Sequence, residues 1–223
     1  MIACQVMRVD VWADLVCPWC YIGKRRFERA LEGFAHRDTV QVVHRSFQLN
    51  PAFSKGQTLP RRASLMSKYR LSEAEAQAMD DKMERTAAAE GLEYHLGGGV
   101  TGSTFDAHQL LHLARDRGIQ DAVAERFYRA YFTEQRSLFD VESLAQLAAE
   151  AGLDREEARA VLKANTYAAS VTIDVQEARA IGVTGVPFFV IDGRDGISGA
   201  QPTELFREAL ERTWAEPDQQ GPG

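Results

Sequence analysis

Apolar and polar residues alternate at the beginning of the chain in a pattern that predicts a β-strand followed by an α-helix. Between Val9 and Asp14 every second residue is apolar, which is the period of a strand with one buried face. The apolar residues then recur at helical spacing, and we predict a helix over Pro18–Ala35. A second strand is predicted over Val40–Phe47. A strand–helix–strand unit of this kind makes the two strands parallel, with a right-handed connection.

The middle of the chain is predicted to be a loop followed by a long helical segment. Pro and Gly residues in Gln48–Ala63 predict the loop, and helical spacing continues from about residue 64 to residue 182. Ser72 and Glu75 have the spacing of a helix capping box. The glycines at 97–99 and 102 lack the setting of a phosphate-binding loop, and a flexible connection is predicted there.

Strand signals return near the end of the chain. A strand is predicted over Phe188–Ile191. The turn signal Asp192-Gly193 predicts a β-hairpin in which Ile197–Gly199 pairs with this strand. The final helix is predicted over Pro202–Trp214, with its apolar positions directed inward: Leu205, Phe206, Ala209 and Leu210. The polar tail, residues 215–223, is predicted to be disordered.

The most informative motif is Cys17-Pro18-Trp19-Cys20, which stands between the first strand and the first helix. Pro18 suits the first helical position, because a backbone N–H at that position has no partner within the helix and its absence in proline costs no hydrogen bond. Cys17 is then the cap residue, next to free N–H groups and the positive end of the helix dipole, which favour a thiolate. We therefore predict Cys17 to be the exposed nucleophile and Cys20, one turn later and more shielded, to be the resolving thiol.

Two cysteines at this spacing also suit half of a zinc site or an inert buried pair. A zinc site needs a second pair of ligands at suitable spacing, and the one further cysteine is Cys4, with no Cys/His cluster after it. The motif therefore favours redox chemistry, and we expect no metal. Cys4 precedes the first strand and is interpreted as a free surface thiol.

Composition and charge restrict the remaining classes of function. Hydrophobic residues make up 45% of the 223 residues, which is typical of a globular protein. The net charge is −6 and the basic residues are scattered, so we expect no nucleic-acid partner. No apolar run is long enough to cross a bilayer, and the N-terminal segment does not read as a secretory signal. We expect the protein to lie in the cytoplasm and to have no membrane partner. A disulfide between the CxxC cysteines would be transient and catalytic in that compartment.

Val186-Pro187 directly precedes the returning strand, and a proline at this place resembles that of thioredoxin-type proteins, in which a cis proline packs beside the nucleophilic cysteine; this resemblance implies that Val186-Pro187 forms the opposite wall of the site. Proline is tolerated as the first residue of a strand, and X–Pro bonds adopt the cis form at modest cost. A trans proline that only begins a strand is the alternative, but the CPWC motif favours cis. The backbone of Val186 would then pair with an extended substrate, as in strand addition.

Four segments resemble the DsbA family of thiol–disulfide oxidoreductases, in its FrnE-like branch. They contain the CPWC motif, the end of the second strand, the proline strand and the approach to the last helix: residues 11–23, 47–51, 182–190 and 198–201. The resemblance implies a thioredoxin-like α/β fold with an inserted all-helical domain, and dithiol–disulfide exchange. It also implies Cys17 as nucleophile, Cys20 as resolving thiol and Pro187 as a cis proline.

The resemblance also divides the chain into domains. The thioredoxin-like domain comprises residues 7–63 and 183–214, and the helical insertion comprises residues 64–182. The predicted disordered tail, residues 215–223, follows the second part of the thioredoxin-like domain. No cofactor is expected besides a redox-active Cys17–Cys20 disulfide. The expected partners are a disulfide-containing protein or a small thiol, together with a cellular thiol reductant or oxidant.

Several residues around the motif have two interpretations. Asp14 is either a solvated aspartate at the strand end or a half-buried base for the resolving thiol. His108 and His112 have the i, i+4 spacing of a zinc motif, but Gln109 stands where its glutamate would be, so packing or a surface position is favoured. A functional role of His108 in the active-site cleft is the less favoured alternative. Pro18 and Trp19 are predicted to contact substrate.

Three functions are compatible with these features. The favoured one is a thiol–disulfide oxidoreductase or isomerase that works through the CPWC dithiol. A glutathione-dependent enzyme similar to 2-hydroxychromene-2-carboxylate isomerases is the second, but these typically have serine where Cys17 stands. A non-enzymatic, chaperone-like binder of unfolded chains is the third, and no motif requires it.

Overall fold

The predicted strand and helix at the beginning of the chain form β1 (Met7–Ala13) and α1 (Pro18–Glu32). The structure is a computed structural model, and it describes residues 6–216. Cys4 and the tail beyond residue 216 lie outside the described residues. Among residues 6–216, no helix combines the length and the apolar character needed to cross a membrane.

Strands from the beginning and the end of the chain form a four-stranded mixed sheet. Strand β1 pairs in parallel with β2 (Val40–Ser46), which follows a short 3₁₀ turn, Arg37–Thr39. On its other side β1 pairs antiparallel with a later strand, Phe188–Ile191, and that strand pairs antiparallel with the last one, Asp195–Ser198. The predicted parallel pairing and the predicted hairpin are both confirmed.

The hairpin turn has the backbone conformation that its sequence predicts. Asp192 and Gly193 have φ angles of 48° and 68°, and the N–H of Arg194 donates to the carbonyl of Ile191 over 3.0 Å. Two successive positive φ angles define the turn type that matches the twist of antiparallel strands.

Helices fill most of the chain between β2 and the strand at Phe188. In chain order they are α2 (Arg61–Tyr69), α3 (Glu73–Ala89), α4 (Phe105–Asp116), α5 (Gln120–Phe132), α6 (Val141–Glu150), α7 (Arg155–Ala164) and α8 (Ala168–Ala180). The last helix is α9 (Thr203–Ala215). The capping box at Ser72 and Glu75 is present at the beginning of α3, as predicted.

Two short strands, one before α2 and one between α3 and α4, were missed by the sequence analysis. Strand β3 (Thr58–Pro60) lies in the predicted loop, which α2 also shortens, and it pairs with β4 (Val100–Gly102). The end of the glycine-rich connection is therefore paired in a strand, while its flexibility stays a prediction. A Cβ on Gly102 would lie 2.7 Å from the carbonyl oxygen of Gln57, so this close approach of two backbones requires glycine. With these two strands, the two at the hairpin are β5 (Phe188–Ile191) and β6 (Asp195–Ser198).

The apolar side chains form two large clusters, and α1 contributes to both. Its first turns, with Cys20 and Ile22, pack into the core of the helical region. Its last turns, with Phe27 and Ala30, pack with the sheet and α9. A smaller cluster around Trp12 covers the other face of the sheet and contacts α8. The helix that carries the CPWC motif is therefore fixed along its whole length.

Aromatic stacking fixes the first turns of α1 against the helical region. The Tyr21 ring stacks on Tyr128 of α5 with 4.9 Å between centroids, and Tyr94 stacks on Phe132 at 4.6 Å. The Tyr21 hydroxyl donates to Glu125 over 2.6 Å. The Tyr94 hydroxyl donates to the carbonyl of Pro18 over 2.8 Å, which attaches the CPWC segment itself to this stack.

The inward face of α9 differs from the prediction at one position. Phe206, Ala209 and Leu210 are buried, but Leu205 is 39% exposed. The Phe206 ring lies 4.6 Å from Phe189 and 5.6 Å from Phe27, centroid to centroid, and closes the core under the sheet.

We expect Phe206→Ala to lower the free energy of unfolding by about 3–5 kcal/mol, because it opens a cavity among buried rings. The neighbouring Leu205→Ala is the control and should change stability by less than about 0.5 kcal/mol. Urea unfolding of both variants measures the difference. Equal losses would contradict this description of the core.

Candidate active site

Cys17 caps α1, as the sequence predicts. Its φ and ψ of −89° and 113° are extended, and Pro18 is the first helical residue. The N–H of Cys17 donates to the carbonyl of Asp14, and the N–H of Cys20 donates to the carbonyl of Cys17, each over 3.0 Å. These two bonds build a tight turn that places the first cysteine at the positive end of the helix.

The predicted exposure of Cys17 is wrong. Cys17 is 5% exposed and Cys20 is 2% exposed, so both thiols are buried, the second only slightly more deeply. The segment before β5 covers the first cysteine, and its Sγ lies 3.5 Å from the carbonyl oxygen of Val186. The sequence analysis expected Val186 at the opposite wall of the site but not the burial of the thiol, because a contact with a residue 169 positions away leaves no local signal.

The Val186–Pro187 peptide bond is cis, which is the isomer expected from the sequence. Pro187 is buried and Val186 is half-buried. The carbonyl of Pro187 accepts the N–H of Gly199 over 2.8 Å, which joins this segment to the end of β6. The two sides of the site therefore come from the beginning and the end of the chain.

Gly23 allows α1 to approach the cis proline closely. A Cβ on Gly23 would lie 2.8 Å from Cγ of Pro187 and 3.4 Å from Cβ of Ala200. Any larger residue would push the helix and the proline segment apart. The sequence analysis included Gly23 only in the family segment and missed this role, because its signal is a contact across the fold.

The two thiols have different environments. Burial raises the pKa of Cys20 well above its ordinary value, and the neighbouring Cys17 adds to this effect. A backbone hydrogen bond with Asp14 opposes the shift in part, and the charge of Asp14 adds to it. A reaction of Cys20 as a thiolate therefore requires that a nearby group remove its proton.

The predicted substrate contacts differ in exposure. Trp19 is 42% exposed and Pro18 is half-buried, so both offer surface beside Cys17. Trp12 is buried, as expected, and its indole N–H donates to the carbonyl of Asp174 over 2.9 Å.

Asp14 is buried, so its interpretation as a solvated strand-end aspartate is wrong. The residue is 1% exposed, and its Oδ2 accepts the N–H of Leu49 over 2.7 Å. Nε2 of His108 lies 3.6 Å from its Oδ1 and 2.9 Å from the carbonyl oxygen of Phe47. The structure therefore brings Asp14 and His108 together beside the CPWC turn.

His112 belongs to a second buried pair, which the sequence analysis did not identify. Its Nε2 lies 3.1 Å from Oδ2 of Asp174, and that carboxylate also accepts the N–H of Ser46. The packing interpretation of His112 is confirmed, and a surface position is wrong for both histidines, since each is 1% exposed.

A cavity of about 290 Å³ adjoins Cys20 on the inner side of α1. Apolar residues of the sheet and of α1 form most of its lining, including Val11, Ala13 and Phe27. Its charged end is formed by Lys24, Glu28, His44 and Asp121. Lys24 is buried and pairs with all three carboxylates of the α1–α5 contact: Glu28, Asp121 and Glu125.

Comparison with known proteins identifies the family. Residues 8–211 match the model of the family described as the DSBA-like thioredoxin domain. The chain belongs to this family. The expected thioredoxin-like fold of the DsbA family is thereby confirmed, while membership of the FrnE-like branch stays a prediction.

Three solved structures are similar to this DSBA-like chain. A probable DsbA oxidoreductase from Streptomyces coelicolor is 51% identical, with a TM-score of 0.91 over 96% of this chain and 93% of that one. The cytosolic disulfide reductase DsbM from Pseudomonas aeruginosa is 19% identical, with a TM-score of 0.62 over 93% and 98%. A 2-hydroxychromene-2-carboxylate isomerase is 17% identical, with a TM-score of 0.66 over 92% and 95%. The last two likenesses show the fold alone.

We expect Gly23→Ala to destabilise this DSBA-like protein by about 1–3 kcal/mol, because the added methyl group overpacks the contact with Pro187. Gly33→Ala is the matched control, since a Cβ there comes no closer than 3.8 Å to another atom. Urea unfolding of both variants tests the contact. A Gly23→Ala protein as stable as Gly33→Ala would show that the helix and the proline segment are not tightly packed.

Proposed function

We propose that this protein is a thiol–disulfide oxidoreductase that exchanges disulfides with protein or small-molecule thiols through Cys17 and Cys20. The observation that carries the proposal is the position of Cys17, at the cap of α1 with its Sγ 3.5 Å from the carbonyl of Val186 beside a cis proline. Membership of the DSBA-like family supports the same general activity.

The reaction takes place in two exchange steps. The Cys17 thiolate attacks one sulfur of a substrate disulfide, a mixed disulfide forms, and the other substrate sulfur leaves as a thiolate that takes a proton from water. Cys20 then loses its proton and attacks Sγ of Cys17, so that the second substrate thiolate leaves. The substrate is reduced, the enzyme is oxidised to a Cys17–Cys20 disulfide, and the reverse sequence donates a disulfide.

Four residues support the proposed binding of substrate beside Cys17. Trp19 and Pro18 give an apolar surface on one side, and Val186 and Pro187 lie on the other. The Val186 carbonyl, which would accept a hydrogen bond from a substrate chain in strand addition, is in contact with the Cys17 thiol. A substrate chain that pairs there would therefore displace the thiol from this carbonyl.

The second thiol argues for exchange over the alternatives. The isomerase-like function needs glutathione but no resolving thiol, and the chaperone-like function needs neither cysteine. The likeness to the isomerase concerns the fold and does not separate the two enzymes. We place the protein in the cytoplasm, where a cellular thiol reductant would recycle the disulfide and the net direction would be reduction.

Reduction of insulin with dithiothreitol as electron donor tests the proposal. In a Cys4→Ser background, which leaves only the CPWC cysteines, we expect Cys17→Ser to lower the catalysed rate at least about 100-fold, because the nucleophile is lost. Cys20→Ser, reduced and then mixed with insulin after dithiothreitol has been removed, should retain the attack and accumulate a mixed disulfide at Cys17, which mass spectrometry of the acid-quenched protein detects.

The unsubstituted protein and the Cys4→Ser variant are the reference pair and should have equal rates. Equal insulin reduction by Cys17→Ser and its parent would overturn the proposed exchange. Isomerisation of a hydroxychromene carboxylate with glutathione, at full rate in Cys20→Ala, would replace it with the isomerase function.

A further inference from the structure

We propose that the cavity beside Cys20 binds a neutral aromatic molecule of one or two rings. The cavity lies on the inner side of α1 and has a volume of about 290 Å³. In the described part of the chain, Cys20 lines it, whereas Cys17 and the Val186–Pro187 segment do not. The inference goes beyond the proposed exchange reaction, because binding in this cavity requires no reaction of either thiol.

The walls of the cavity suit an apolar ligand. The strands contribute Val11, Val42 and Phe189, and the helices α1 and α5 contribute Phe27 and Tyr128. Three of these five side chains are rings, which favour offset or edge contacts with another ring. A cavity of about 150 Å³ with aliphatic and aromatic walls binds benzene. Since this cavity has about twice that volume, a molecule of one or two rings fits it.

The charged end of the cavity gives access to solvent. The Asp121 side chain, which belongs to the first turn of α5, is 63% exposed. Lys24 and His44 lie beside it and are buried. A ligand can therefore enter next to the Asp121 carboxylate and place its rings between α1 and the sheet.

The charges at this end of the cavity are paired with one another. Nζ of Lys24 lies 3.2 Å from Oδ1 of Asp121 and 3.0 Å from Oε2 of Glu125. It also pairs with Glu28. Arg25 lies 2.7 Å from both glutamates. A charged ligand would lose its hydration here without gaining a free counter-charge, whereas a neutral ligand would not pay this penalty.

Gln120 fixes the strand that carries His44 to the charged end. Strand β2 lies at the edge of the four-stranded sheet. The side-chain amide of Gln120 accepts the N–H of His44 over 3.0 Å and donates to its carbonyl over 2.9 Å, as the backbone of a further strand would. Nε2 of His44 lies 3.0 Å from Oδ1 of Asp121. This wall is therefore held in place before a ligand binds, so that little ordering opposes binding.

A ligand in the cavity would contact the inner side of Cys20. This thiol is 2% exposed and forms part of the lining. An apolar ligand excludes water from that side of the sulfur, and a desolvated thiol ionises less readily. Bound ligand should therefore slow the reaction of Cys20 with small reagents, and this effect reports where the ligand lies.

Isothermal titration calorimetry with matched one-ring probes tests the class of ligand. At neutral pH benzyl alcohol is uncharged, benzylamine is a cation and benzoate is an anion. We expect one molecule of benzyl alcohol, or of the two-ring indole, to bind per chain, and both charged probes to bind at least about tenfold more weakly. A charged probe that binds as tightly as benzyl alcohol would overturn the proposal. The absence of saturable binding by indole and benzyl alcohol would also overturn it.

The variant Val42→Phe tests the location, because the added ring fills the cavity. Val42 is half-buried and lines the cavity. Val190→Phe is the matched control, since Val190 is also half-buried but packs near Trp12 on the other face of the sheet. We expect Val42→Phe to weaken indole binding at least about tenfold and Val190→Phe to leave it within about twofold.

Unchanged affinity in Val42→Phe, or equal weakening in both variants, would overturn the proposal. Loss of indole binding in Trp19→Ala, with affinity retained in Val42→Phe, would assign the probe to the surface beside Cys17 instead.

Protection of Cys20 tests the location without a cavity variant, which decides the matter if Val42→Phe does not fold. With Cys4→Ser and Cys17→Ser, Cys20 is the one remaining thiol of the chain. Mass spectrometry follows its modification by methyl methanethiosulfonate. We expect saturating indole to slow this modification at least about fivefold, and benzoate at the same concentration to leave the rate unchanged. Equal rates with and without indole would overturn the proposal.

Discussion

The site depends on one constraint, the close approach of the first two turns of α1 to the segment that carries the cis proline. Gly23 removes the side chain that would separate them, and the thiol of Cys17 then lies against the carbonyl of Val186. Strand β1 sets where the helix begins, and the pairing of β1 with β5 sets where the proline segment arrives. The two halves of the site thus meet because neighbouring strands of one sheet bring them together.

The helical region contributes to this constraint from the other side of α1. Tyr94 holds the carbonyl of Pro18, and the stacked rings of Tyr21 and Tyr128 join the helix to α5. The first turn of α1 is therefore held by the helical region on one face and by the proline segment on the other. This burial explains why neither thiol is exposed, and it makes the fate of the Cys20 proton the main chemical question at the site.

Local patterns in the sequence predicted much of the fold and the main chemistry. The period-2 strand, the proline at the first helical position and the Asp192-Gly193 turn each depend on adjacent residues, and the structure contains all three. Contacts between distant segments left no such local signal. The burial of Cys17 under Val186, the pairing of β3 with β4 and the partnership of Asp14 with His108 arise only when the chain has folded.

The central claim is that Cys17 and Cys20 form a reversible disulfide. Equilibration of the protein with glutathione buffers of graded potential, followed by acid trapping and mass spectrometry, measures this directly. The account predicts one two-electron transition between dithiol and Cys17–Cys20 disulfide, with a tenfold change in their ratio for about 30 mV. A titration in which only singly glutathionylated Cys17 accumulates, or in which neither cysteine is oxidised, would contradict it.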